Sequence, residues 1–420
     1  MDSSRAEMRQ LGALRVFIMT WVFLNGLVAT GLVGPVRLRV ETEYGLTHGQ
    51  FGAAFAAAQI GFSAAVLFGV APFLRRVAGM PLLAAALALN AAGLAVVCAT
   101  RSVTGFFIGW SAIFAGTMIS GLTNNVSMNL WPHHRRRGVI LLHGFNSLGK
   151  LAGPLMVAAL AAVSWRAGYA GAVFINLALL AFMVTACRGA SAASMRETAA
   201  SAPPFSWGVF RDPFYWLATL PFGMIAGGEA AFATLAPTFF VKMRGLTDAQ
   251  ASLLLALHLS GLALGRFVAA GLGGRVSNRA IIGVCLASGV AIAPAIASPS
   301  PLTYIPAVFV LGFMFSATWP AFYAQVSQFF AHCADMLAYG TALGNAVGLS
   351  LCIAVSSWIA DYNLTLAMVS GPGVLWLFGL LFWGTRLSQR AESLGLPASA
   401  VCPATPAPHV APISDESVLP

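Results

Sequence analysis

Twelve apolar runs, each about 20 residues or longer, follow one another at 13–35, 50–74, 80–100, 104–131, 138–161, 166–187, 213–240, 249–274, 280–298, 302–330, 337–360 and 364–386. No other feature restricts the fold so strongly. A helix needs about 20 residues to cross a hydrocarbon layer roughly 30 Å thick. Lipid offers backbone N–H and C=O groups no partners, so each run has to be helical. Only 9% of the 420 residues are charged, against about 25% in soluble domains. Mean hydropathy is +0.81. The sequence predicts an all-α membrane protein with twelve transmembrane helices.

The charges give that layout an orientation. With the N-terminus in the cytoplasm, fifteen of the 23 Lys and Arg residues fall on the cytoplasmic side. Six fall outside (Arg37, Arg39, Arg101, Arg166, Lys242 and Arg244), and Lys150 and Arg266 lie within the membrane. This is a positive-inside bias. It accounts for the net charge of +10 without a nucleic-acid partner. Residues 1–12 are polar and the first run is too long for a cleavable signal, so it is expected to stay as the first helix. The expected location is a bacterial-type cell inner (plasma) membrane, multi-pass, with both termini cytoplasmic and the chain a monomer. The six cysteines are scattered without a Cys-x-x-Cys and read as small core residues, not a disulfide framework or metal site. No Gly-x-x-x-x-Gly-Lys-Ser/Thr loop is present, so ATP hydrolysis is unsupported. No cofactor is expected. A membrane enzyme would need a polar cluster at a membrane face, and none stands out.

Residues 188–212 are rich in Ala, Ser and Pro and read as a cytoplasmic linker between two halves, 1–187 and 213–386. Residues 387–420 read as a disordered cytoplasmic tail. The halves repeat at an offset near 200. Gly45-Leu46-Thr47-His48-Gly49-Gln50 matches Gly245-Leu246-Thr247-Asp248-Ala249-Gln250, and each contains the Thr-x-x-Gln of a capping box. Asn125-Val126-Ser127 matches Gln325-Val326-Ser327. Leu148-Gly149-Lys150-Leu151-Ala152-Gly153 matches Leu343-Gly344-Asn345-Ala346-Val347-Gly348. Two six-helix bundles related by a pseudo-two-fold axis follow, with a solute site near the midplane between them.

Glu229 is the only carboxylate that falls inside an apolar run, and Lys150 and Arg266 are the only cations that this layout places within the membrane. Each such group costs roughly 2.5–3.5 kcal/mol or more at a bilayer centre. Low dielectric favours a neutral acid and a nearby cation favours a carboxylate. An acid balanced between the two can take a proton on one side and release it on the other; a permanent structural ion pair is the plain alternative. His143, Asn146 and Lys150 are spaced i, i+3, i+7 and share a face. Gly149 and Gly153 adjoin it and permit close helix contact. Lys150 is expected to bind an anionic solute or to pair with Glu229. Arg266 is expected either to pair with a carboxylate or to approach the inner loops. His258, eight residues before it, reads first as a packing residue and second as a solute contact. The acid is confined to the second half and Lys150 to the first, which points to a charge relation across a central cavity. Asn25, Gln59, Asn124, Asn125, Asn129, Gln325, Gln328 and Asn345 are expected to face inward, and Trp319, Phe322 and Tyr323 could form an aromatic wall. His133-His134-Arg135-Arg136-Arg137 reads as a solvated loop that sets topology, in preference to a metal site.

Twelve helices, a 6+6 repeat and a central inner loop resemble the major facilitator superfamily over residues 10–390. Gly274-Arg275-Val276-Ser277-Asn278-Arg279 is similar to that superfamily's Gly-x-x-x-Asp-Arg gating motif, with Asn278 in the place of Asp. The equivalent stretch from Gly69 to Gly79 is more degraded, with Phe73 where the acid would be. Three stretches resemble the fucose–proton symporter-like permeases: Gly227-x-Glu229, Gly265-Arg266, and His143 … Leu148-Gly149 … Gly153-Pro154. The resemblance implies proton-coupled transport of a small sugar-like solute by alternating access. Asn25 and Asn124/Asn125 stand where those permeases place acids, and Lys150 where a small residue is usual, which makes an anionic or zwitterionic solute credible. The alternative is a proton-driven exporter of a drug-like compound or a secreted metabolite such as a siderophore. For that reading, Gly149-x-x-x-Gly153-Pro154 matches half of the superfamily's antiporter motif, and Val157-Ala158 replaces the closing glycine pair.

Overall fold

The computed structural model describes residues 2–65, 79–121, 135–160, 162–187, 211, 213–272, 276–326 and 334–384. These residues form helices and no strand. The first run is α1 (Asp2–Gly26), one widened turn (Leu27–Gly31) and α2 (Val33–Tyr44). Then come α3 (His48–Ala64), α4 (Gly79–Ala99), α5 (Val103–Gly121), α6 (Arg135–Leu160) and α7 (Arg166–Ala186). The second half holds α8 (Pro213–Arg244), α9 (Asp248–Leu272), α10 (Asn278–Ile296), α11 (Pro301–Phe315) and α12 (Thr318–Val326), α13 (Ala334–Tyr362) and α14 (Leu364–Gly384). Eight described helices are long and apolar enough to cross a membrane, and two more apolar helices are shorter. With α1–α2 and α11–α12 each counted as one rod, the elements are consistent with twelve spans. The expected linker and tail lie outside the described residues, apart from Arg211.

Two apolar cores form, one from residues between Leu14 and Cys187 joined by Ala230 and Ile353, and the other from residues between Tyr215 and Phe382. Their boundary is crossed where α3 packs on α13, α6 on α9, and α2 on α8. Glycine sets the closest approaches. A Cβ at Gly149 would strike the Phe23 carbonyl oxygen, and one at Gly153 the backbone of Gly31, so α6 lies directly against the first rod. Their counterparts Gly344 and Gly348 bring α13 against Thr219 and Gly223 of α8 in the same way.

The repeat is geometric as well as sequential. Gly45 and Gly245 both have φ of 64°, a left-handed conformation that suits glycine after a helix. Thr47 then caps α3: its hydroxyl accepts from Gln50 N at 3.1 Å, and Gln50 Oε1 accepts from Thr47 N at 2.9 Å. Thr247 and Gln250 repeat both bonds at 3.2 and 3.0 Å.

The first rod departs from the sequence-based boundary. It continues past residue 35 to Tyr44, which carries Arg37 and Glu41 into the interior. Pro35 cannot donate a hydrogen bond to the preceding turn, and the widened turn immediately upstream absorbs the misfit. Glu229 is therefore not the only buried carboxylate, nor are Lys150 and Arg266 the only buried cations. Arg37 is fully buried, with Nε donating to Glu41 Oε1 at 2.7 Å.

Candidate solute site between the two bundles

A cavity of about 300 Å³ lies between the two cores. The first half contributes Val22, Asn25, Ala29, Thr30, Thr117, Leu142, His143, Asn146 and Lys150 to its wall. The second contributes Ala226, Glu229, Ala230, Arg266, Trp319, Asn345 and Leu349. A site between bundles can change its access without rebuilding its walls, because each wall moves with its own core.

The charges meet here. Lys150 Nζ on α6 donates to Glu229 Oε1 on α8 at 2.5 Å, so the pair joins the two halves. Arg266 on α9 approaches the other carboxylate oxygen at 3.9 Å. Its guanidinium also donates to the His143 carbonyl at 3.0 Å, to Ser147 Oγ at 2.5 Å and to the Ser316 carbonyl at 3.3 Å. Of the two destinations open to Arg266 in the sequence, the structure has it point across the bundle boundary instead of toward a loop. All three charged side chains are largely buried, with 14%, 13% and 6% of the Lys150, Glu229 and Arg266 side chains exposed. A pair buried to this degree depends on both partners, because losing one leaves an uncompensated charge that costs about 3–5 kcal/mol.

The i, i+3, i+7 face of α6 does line the cavity, through His143, Asn146 and Lys150. Asn146 Nδ2 also donates to the Val22 carbonyl at 3.3 Å, tying α6 to α1. Trp319 is packed by His143 at 4.8 Å and by Phe222 at 5.3 Å. Tyr323 stacks on Trp319 at 5.2 Å with an 8° tilt, supporting the indole without lining the cavity. Gln325 is buried but does not line it. His258 is fully buried against Phe232 and Phe315, with Nδ1 3.2 Å from the Val308 carbonyl, and likewise stays off the wall. Asn125 and Gly274 lie outside the described residues. Of the gating loop, Asn278 and Arg279 open α10, which Ser277 caps. Sequence reasoning missed Ser147, Thr30 and Thr117, because small hydroxyl residues in apolar helices normally bond their own backbone. It also missed the second charged cluster of Arg37, Glu41 and His48, which the Arg37–Glu41 spacing of four could have signalled.

The family that matches this chain is described as the Major Facilitator Superfamily, and the match runs over residues 17–351. The chain belongs to that superfamily. No curated protein matches it significantly. Among solved superfamily structures, a bacterial homologue of the human lysosomal transporter Spinster, inward-facing and unoccupied, is similar with a TM-score of 0.65 at 15% identity. That match covers 92% of this chain and 98% of the homologue. The transporter FucP in its outward conformation gives a TM-score of 0.60 at 16% identity, covering 88% and 98%. The nucleoside transporter NupG gives 0.62 at 13% identity, covering 92% and 98%. At these identities the likeness shows the fold. Superfamily membership makes the chain a multi-pass membrane transporter of small-molecule solutes and not an enzyme.

Proposed function

We propose that the protein is a proton-coupled secondary transporter of a small polar solute, sugar-like or anionic, working by alternating access. The observation that carries this is the Lys150–Glu229 pair, which spans the two bundles at the wall of the cavity between them. Protonating Glu229 removes the attraction that joins the halves at that point, so proton binding and the relative position of the bundles are linked. The moving bodies are residues 1–187 and 213–386. Both termini face the cytoplasm of a bacterial-type inner membrane, and the chain acts as a monomer.

In this orientation the Gly45/Gly245 end is external. Cross-bundle contacts are dense there, so this conformation is closed to the outside. Arg39 pairs with Asp248, His48 Nε2 lies 3.0 Å from Lys242 Nζ, and Arg37 donates to Ser357 Oγ at 3.0 Å. Asp361 accepts from Thr47 Oγ1 and Gly49 N at 3.0 and 2.9 Å. Helix packing accounts for Gly149 and Gly153, so the half motif they form adds nothing to the export reading.

The test is solute-driven proton flux in proteoliposomes containing the full chain, measured across sugars, carboxylates and siderophore-like compounds. At least one class should move protons, and Glu229→Gln should abolish the coupling. Unchanged coupled flux in that variant removes Glu229 as the proton site, and absence of proton flux with every class removes the proton coupling.

A further inference from the structure

The chemistry of the solute can be narrowed, on the footing that this cavity is the transport site. Among the described residues Glu229 is the only acid on the wall, and two cations share it. Lys150 takes the full contact, at 2.5 Å. Arg266 is less well served. Its Nε and Nη1 donate to the Ser316 and His143 carbonyls and to Ser147 Oγ, all neutral acceptors. Its Nη2 has only the 3.9 Å approach to Glu229 Oε2, which is longer than a hydrogen bond. A side chain that is only 6% exposed thus brings an unused N–H group and one excess positive charge to the cavity, where an unanswered charge is expensive.

The uncharged polar groups of the wall make no comparable demand. Asn146 Nδ2 donates to the Val22 carbonyl, and Asn345 Oδ1 accepts from Trp319 Nε1. The Thr30 and Thr117 hydroxyls donate to the carbonyls of Gly26 and Phe114, and Asn25 is engaged too. A guest hydroxyl gains little from groups that must first give up a bond. Val22, Leu142, Ala226, Ala230, Leu349 and the Trp319 indole, which Tyr323 backs by stacking, supply apolar surface.

We infer that the solute is a small monocarboxylate with an apolar body, whose carboxylate accepts from Arg266 Nη2 beside the Lys150–Glu229 pair. Two acids then answer two cations, and the body lies against the apolar part of the wall. A neutral sugar would leave Arg266 as it is and set its hydroxyls against groups already bonded. The volume of about 300 Å³ is at the lower end of the roughly 300–1,000 Å³ range of small-molecule pockets, which suits a compact guest.

The experiment uses the purified full chain in lipid nanodiscs, with empty nanodiscs subtracted, and a fixed panel read by calorimetry. The panel is 3-methylbutanoate, benzoate and phenylacetate, the neutral amide of each, and the hydroxylated acids glycerate and gluconate. At least one apolar acid should bind about tenfold or more tightly than its amide, because a charge-assisted contact separates them. It should bind about tenfold more tightly than either hydroxylated acid, through the apolar area it buries. Arg266→Gln should weaken its binding about tenfold or more. Glu229→Gln should strengthen it about tenfold, by removing the neighbouring negative charge and freeing Lys150. That gain distinguishes the proposal from damage to the fold, which could only lower affinity. Equal binding of acid and amide, hydroxylated acids binding as tightly as apolar ones, failure of every apolar acid to bind, or unchanged or weaker binding in Glu229→Gln would overturn it. Proteoliposome flux, measured against protein-free vesicles because the neutral acids cross lipid unaided, separates the two levels. Sugars that move protons while these acids do not would leave proton-coupled transport standing and end the monocarboxylate assignment. No solute moving protons would end the coupling, and the order of binding would still decide the monocarboxylate.

Discussion

Two charged clusters join the bundles, one buried at the cavity and one only partly buried at the Gly45/Gly245 end. At the Gly45/Gly245 end, Arg37 pairs with Glu41 and Arg39 with Asp248, while Lys242 meets the His48 ring and Asp361 accepts from Thr47 and Gly49. Those groups also satisfy one another's helix ends and hydroxyls, as Asp361 does at the start of α3. At the cavity, two cations face one acid. A contact that only has to close a face is best when every charge is answered by the protein itself. At the cavity the second cation is answered by Ser147 and two backbone carbonyls instead of a second acid. On the proposed reading, that imbalance of charge, more than burial, distinguishes a solute site from a closing contact.

The most disruptive way to break this comparison is to remove one member of the cavity pair. Lys150→Leu strands Glu229 with only the 3.9 Å Arg266 contact, and is expected to lower stability by about 3–5 kcal/mol. The double variant Lys150→Leu/Glu229→Leu should recover most of that loss, since a buried pair replaced by apolar side chains is often neutral or better, yet transport should stay absent. Thermal unfolding in detergent and proteoliposome flux, measured on the same samples, check this. A double variant that transports would make the pair a packing device.

The next effect comes from wedging the other cluster. A Cβ at Gly52 would collide with the Ser357 side chain, and one at Gly34 with the Ala233 carbonyl oxygen. Gly52→Leu should therefore hold the two bundles apart at that end. Overpacking of this kind costs about 1–3 kcal/mol, or roughly 5- to 150-fold in the population of the closed form. Spin labels on α2 and α13 near that end should show a longer distance in the variant. Unchanged distances would mean that these contacts do not govern closure.

How much of this was legible from residues alone follows from what each signal depends on. The twelve runs and the Thr-x-x-Gln caps depend on local sequence, and the caps form as paired bonds in both halves. Charges in an apolar run are conspicuous, so Lys150, Glu229 and Arg266 stand out without a structure. Their partners are set by helix rotation and packing, which place Arg266 on Ser147 and the His143 carbonyl. Arg37 and Glu41 escaped notice because they sit where an apolar run gives way to a loop, and only the continued helix buries them. Trp319 and Tyr323 look equivalent in sequence, but one lines the cavity and the other stacks behind it.

A smaller effect should come from His48. Its Nδ1 lies 2.7 Å from Glu41 Oε2 and its Nε2 3.0 Å from Lys242 Nζ. The ring meets both demands only when neutral, donating from Nδ1–H and accepting at Nε2. Arg37, from α2, and Asp361, from α13, bond the backbone and cap around it. His48→Leu removes both bonds, and the α2–α13 spin-label distance should lengthen slightly in the variant; an unchanged distance would mean that His48 does not help to hold this end closed.

The smallest effect sharpens the comparison by separating burial from contact. Arg39 and Asp248 are as close as any ion pair among the described residues, at 2.5 Å, and they too bridge the bundles. Their side chains are 56% and 24% exposed, so water and salt answer each charge when its partner is lost. Exposed pairs contribute about 0–1 kcal/mol. Arg39→Ala should shift the unfolding midpoint and the closed-form population only slightly, and the shift should vanish at about 1 M salt, where the screening length falls to about 3 Å. Arg37→Met removes a cation of the same type two residues away, but from a site with no solvent exposure. It leaves Glu41 buried with His48 alone, and its larger effect should persist at that salt concentration. If both variants behave alike, burial does not decide which charges hold this end closed, and the contrast with the cavity has to rest on charge balance alone.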